Sequence, residues 1–239
     1  LRPMTSIKLS LSKYPADSWE AAVLLVEAYF SARLKADQVM ELLPADFIGQ
    51  RRASCQSLFL GALRHGHRTQ AAYGPLLRKS PGQLVQGILL VAGFEIYSEQ
   101  ADKHPKIVHH AVEQSKGLVN RHQQGFLNAV LRKLPDAIRS LNMESASPAH
   151  RYSHPAWLVE HWVKTLGSKD TNSLLHWNQN IPNHYIRIYQ SIDPLPDFLE
   201  RTNWEGFYKI GRSVNWKEQV EPLVRSGKAY IKDPSTRLA

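Results

Sequence analysis

Helical periodicity limits what this chain can fold into more than any other feature. Leu127, Val130, Leu131 and Leu134 recur at i, i+3, i+4 and i+7, an apolar stripe that an α-helix lays along one face. The same spacing returns upstream in Trp19, Val23, Val26 and Phe30, and in Cys55, Leu58, Phe59 and Ala62. Leu84, Ile88, Val91 and Ile96 mark another helix, and Ile107, Val108, Ala111 and Val112 a further one. Val39, Leu42 and Leu43 fit a short helix ending by Pro44. The punctuation agrees. Asp17 with Glu20 reads as a capping box, and Ser80-Pro81-Gly82-Gln83 as a cap, a first-turn proline and a third-position glutamine. Pro105 opens a helix, Gly66 suits the residue after a helix end, and Gly117 and Pro135 read as stops. Residues 1–145 are therefore expected to form an all-α domain.

The pattern changes after a polar stretch over residues 136–150, which reads as a linker. His154-Pro155 starts a helix carrying Leu158, Trp162 and Leu166; Gly167-Ser168 ends it and caps the next, which Pro182 stops. His184 to Tyr189 then alternates, with Ile186 and Ile188 on one side and Tyr185, Arg187 and Tyr189 on the other. Leu195–Thr202 reads as a short helix, Gly206–Ile210 as a strand, Trp216–Arg225 as a helix and Ala229–Ile231 as a strand. Residues 146–239 are thus expected to form linker helices and a small α+β subdomain. Asp233-Pro234 is a helix start with only five residues after it, too few to offset nucleation. With Leu1 in place of a methionine, the chain reads as a piece of a longer protein.

Charge narrows the partners. A formal charge of +9 favours phosphates or an anionic surface. Residues 1–150 hold 18 Lys/Arg against 12 Asp/Glu and residues 151–239 hold 12 against 9, so no dense basic tail exists and an anion site must be assembled by folding. The single cysteine, Cys55, excludes an internal disulfide and a cysteine-rich zinc site. It lies on an apolar helix stripe and reads as core. Neither His65/His67 nor His109/His110 has the spacing of metal ligands, and no glycine-rich phosphate loop occurs. Apolar runs such as residues 88–92 are too short to span a bilayer.

Basic residues collect near helix ends: Arg51-Arg52, Arg64, Arg68, Arg78-Lys79, Lys116, Arg121 and Arg132-Lys133. Guanidinium groups there can hold phosphates, and can equally be solvated faces that favour the helix dipole. Tyr185, Arg187 and Tyr189 can stack on unpaired bases, although aromatic residues also suit strands in their own right.

Several segments, in order, resemble one family. GALR at Gly61–Arg64, and FLNAVLRKL at Phe126–Leu134 following Lys116-Gly117, resemble the NusB-like helical domain that precedes the catalytic domain of bacterial ribosomal RNA 5-methylcytosine methyltransferases of the Sun/Fmu type. RYSHPAWLVEHW at Arg151–Trp162 is similar to that family's linker helix with its His-Pro-x-Trp signature. WNQNIPNHYIRI at Trp177–Ile188 looks like the asparagine-rich turn and arginine-bearing strand that begin its small RNA-binding subdomain. IKDPSTRLA at Ile231–Ala239 looks like the element just ahead of its S-adenosylmethionine site. The likeness spans about residues 15 to 239. It departs at Tyr189, where the family has asparagine, and at Lys232, where glutamine is common.

The resemblance implies an RNA-binding N-terminal portion of a 16S ribosomal RNA (cytosine-5)-methyltransferase. In that reaction a thiolate attacks carbon 6 of cytosine, carbon 5 takes the methyl group of S-adenosylmethionine, and a second cysteine assists release. Cys55 matches neither cysteine, so no catalytic, cofactor or metal residue is expected in this chain, and S-adenosylmethionine is expected to bind elsewhere in the parent protein. The expected RNA contacts are Arg51, Arg52, Lys116, Arg121, Arg187 and Arg237, with small-subunit ribosomal RNA as partner, no membrane, a monomer, and a cytoplasmic location. The alternative is a free-standing NusB-like adaptor that binds RNA and protein in transcription antitermination.

Overall fold

The computed structural model describes residues 10–32, 34–141, 146–180, 182–212 and 214–238. By packing, the chain divides into two compact units, Leu1–Gln179 and Asn180–Ala239.

The first unit is helical. Its core is built on α1 (Ser18–Ala32), α2 (Ala36–Met40), α3 (Gly49–Arg64), α4 (Gly66–Tyr73), α5 (Gln83–Ser98), α6 (His104–Ser115) and α7 (Arg121–Leu141). Helix α5 is the centre and packs against α1, α3, α4, α6 and α7. Its residues from Gly87 to Gly93 are all buried, so it is apolar on every side rather than on one stripe. Helix α1 lies beside it with Trp19 to Val26 buried. The contact is close: a Cβ on Gly87 would sit 2.9 Å from the Val23 carbonyl oxygen.

Several helix ends differ from the expected ones. Asp17 does cap α1, its Oδ1 accepting the Glu20 N–H at 2.8 Å. The reciprocal half of the box is absent, because the Glu20 carboxylate accepts from the Ala16 N–H and the Lys13 ammonium instead. Helix α5 starts at Gln83 with Gly82 in the cap position, not at Ser80-Pro81. That start lets the Gln83 side chain accept the Ser31 hydroxyl of α1. Gly66 does not stop a helix; it is the first residue of α4. Helix α7 runs through Pro135 to Leu141. Ile138, buried at the next turn of the stripe, offsets the hydrogen bond that the proline removes.

The segment expected to be linker is partly helical. Residues 142–145 lie outside the described ones, so the expected domain edge at 145/146 abuts them. Beyond it, Ser147 caps α8 (Pro148–Arg151). Helix α8 packs on α4 and on α9 (Ala156–Trp177), which is why the division into units falls after Gln179. Gly167, at φ +79° and ψ 164°, interrupts α9 as the sequence predicts. A straight helix of 22 residues would be about 33 Å long. Yet the His154 Nε2 lies 3.2 Å from Asn178 Nδ2, and Gln179 Nε2 donates to the Tyr152 carbonyl at 2.7 Å. The two halves of α9 therefore fold back on each other as a hairpin that buries Val159 against Leu175.

The second unit is a four-stranded antiparallel sheet of β1 (His184–Ile188), β2 (Leu199–Arg201), β3 (Phe207–Ile210) and β4 (Ala229–Ile231), in the order β2-β3-β1-β4. Ile186, Leu199, Ile210 and Ala229 form its core with Val220 from a π-helical turn, Trp216–Val220, that leads into α10 (Glu221–Arg225). The expected helix over Leu195–Thr202 is instead β2. Leu199 is buried opposite Ile210, and Glu200 pairs with Lys209 at 2.7 Å. Asp233 caps a 3-10 turn, Pro234–Leu238, its Oδ1 accepting the Ser235 N–H at 2.8 Å.

The glycines give a paired test. Gly87→Ala should destabilise the chain by about 1–3 kcal/mol in urea unfolding, because the Val23 backbone cannot yield as a side chain can. Gly125→Ala, with nothing within 4 Å on exposed α7, should stabilise it by up to about 1 kcal/mol. Equal effects at the two positions would refute the close α1–α5 contact.

Candidate functional site

The residues predicted to bind anions separate by what their charges already do. Arg51 is committed to the fold. It donates to the Ala16 carbonyl at 2.8 Å, pairs with Asp46 at 3.3 Å and lies 3.8 Å over the Phe47 ring. Arg52 is half-buried on α3, close enough for its charge to act on Cys55. Lys116 is exposed and pairs with Glu113. Arg121 is exposed in the first turn of α7. Arg187 and Arg237 line one cleft of about 350 Å³ in the second unit, with Tyr189, Glu205 and Gly206.

A larger cleft in the helical unit uses residues that were not expected to act together. It has a volume of about 710 Å³ and lies between the segment Leu76–Gly82 and the start of α7. Arg78 and Lys79 supply exposed cations on one wall; His122, Gln123 and Phe126 supply the other. Phe126 is 36 % exposed, an aromatic ring left at the rim although its neighbour Leu127 is fully buried. The local folding explains this arrangement. Asn120 and Gln123 cap α7 reciprocally, each side chain accepting the other's N–H at 3.0 and 3.2 Å. No acidic residue follows in the first turn, so the positive end of this 21-residue helix is left uncompensated beside the cations. Cations, an open ring and a helix N-terminus together suit a phosphate-bearing chain with unpaired bases. Only the Arg78-Lys79 pair and the FLNAVLRKL segment were visible in the sequence; their meeting across more than forty residues was not.

The buried titratable groups are structural. Cys55 is fully buried, and that burial pushes its thiol up to about 12. It supplies no nucleophile. His65 stacks on Phe94 and Tyr97, with ring centroids 5.6 and 4.4 Å away. Burial, with Arg68 and Arg64 nearby, lowers it to about 4. Among the described residues, no three His, Cys, Asp or Glu side chains are grouped to hold a metal ion, and no helix is long and apolar enough to cross a membrane.

Comparison with known proteins places the helical unit. Residues 18–136 match the model of the NusB family, so the chain carries a NusB-family domain. That family supports an RNA-binding, adaptor-type function for the domain. No curated protein matches the chain. Among solved structures it is similar to the crystal structure of PH0851, at 12 % identity and a TM-score of 0.47 over 96 % of this chain. The chain spans 55 % of that protein's length.

Two outcomes check the buried groups. Cys55 should resist a thiol reagent at pH 8 in the native chain and react fully once guanidinium unfolds it. His65 makes stability fall with acid. Between about pH 6.5 and 4 the unfolded chain binds a proton that the folded chain refuses, so stability is complete above that window and is lost through it, by up to about 3 kcal/mol. His65→Phe should flatten the decline of the melting temperature over that range; an unchanged slope would show that another group drives it.

Proposed function

We propose that this chain is the RNA-holding N-terminal portion of an S-adenosylmethionine-dependent 16S ribosomal RNA (cytosine-5)-methyltransferase. One observation carries the reading: a NusB-family domain is followed, in the same chain, by the His-Pro-x-Trp hairpin and a small antiparallel sheet unit with Arg187 on its strand β1, in the order that the family resemblance requires. The helical unit grips RNA at the cleft of Arg78, Lys79 and Phe126. The cofactor and the thiolates of the reaction belong to a catalytic part of the parent protein, since Cys55 is sealed in the core. The parent acts on small-subunit ribosomal RNA as a cytoplasmic monomer.

A second reading is a NusB-like adaptor in transcription antitermination, and the family match at residues 18–136 favours it. It leaves the Asn180–Ala239 unit without a role, which is why the first reading is preferred. A pull-down that recovers transcription factors in place of ribosomal RNA would reverse the preference.

Binding of the chain to a small-subunit ribosomal RNA fragment should weaken as salt rises. Arg78→Gln with Lys79→Gln should lower the slope of log K against log salt by about 1.5, since each phosphate contact contributes roughly 0.7–0.9. The chain alone should transfer no methyl group from S-adenosylmethionine. Absence of binding at low salt, or methylation by the chain unaided, would each overturn the reading.

A further inference from the structure

We draw no further inference here: the strongest candidate, the groove of about 480 Å³ between α3, α5 and α6 where the Glu95 carboxylate stands among Leu58, Phe94 and Ile107, carries nothing, because that carboxylate already accepts the Trp19 indole N–H at 2.7 Å, Lys103 and Lys106 offset the acidic charge of the lining, and nothing in the structure shows what covers it.

Discussion

The spacing between α1 and α5 governs the helical unit. Gly87 brings the α5 backbone against the Val23 carbonyl, and no larger residue fits there without moving one helix. Because the middle of α5 is buried on all sides, α1, α3, α4, α6 and α7 all take their positions from it. On the far side Gly61 of α3 leaves room for the Phe94 ring, which in turn stacks on His65 at the α3–α4 turn. The cleft inherits this order. One wall leads into α5 through Val85 and the other is the first turn of α7, whose stripe of Leu127, Leu131 and Leu134 seals the same core. A shift of α5 would thus move both walls of the cleft.

Charge is distributed by the same packing. The formal excess of +9 overstates what a ligand meets, because part of it is consumed inside the fold. Lys13 bridges the buried Glu20 and the Gly117 carbonyl, tying the segment before α1 to the turn after α6. Arg51 fastens the same segment through the Pro15 and Ala16 carbonyls. Arg68, 3 % exposed, lies 4.0 Å from the centre of the Tyr97 ring. Among the exposed cations, Arg78 and Lys79 line the larger cleft and Arg237 the smaller one, where Arg187 is half-exposed and anchored on rings. Removing Arg51 therefore tests the fold, and removing Arg78 tests the ligand.

What the sequence revealed follows the length scale of the signal. The stripes of α1, α3, α5, α6 and α7 were legible because a buried helical face repeats over several turns. The break at Gly167 was legible because a left-handed residue between two apolar runs has few other uses. The misreadings sit where a distant partner decides. Ser80 is a good cap by local rules, but α5 begins at Gln83, which meets Ser31 on α1. Pro135 is a good stop, but burial of Ile138 carries α7 past it. Leu199–Arg201 is too short to show alternation, and only the Ile210 and Lys209 pairings make it a strand. Among site residues, sequence alone put Arg51 with the ligand-binding cations because the carbonyls it serves, 35 and 36 residues earlier, carry no side-chain signal.

A chain without a dense basic segment can offer an anion a site only where folding gathers its cations. The cleft of Arg78, Lys79 and Phe126 is such a place, because two residues adjacent in sequence meet the start of α7 more than forty residues later. The composition of that cleft also bears on selectivity. Cations that meet only phosphate accept any nucleic acid, whereas a ring left at the rim rewards strands whose bases are unpaired. A pair of cations beside an exposed ring therefore favours folded RNA with single-stranded loops over a continuous duplex.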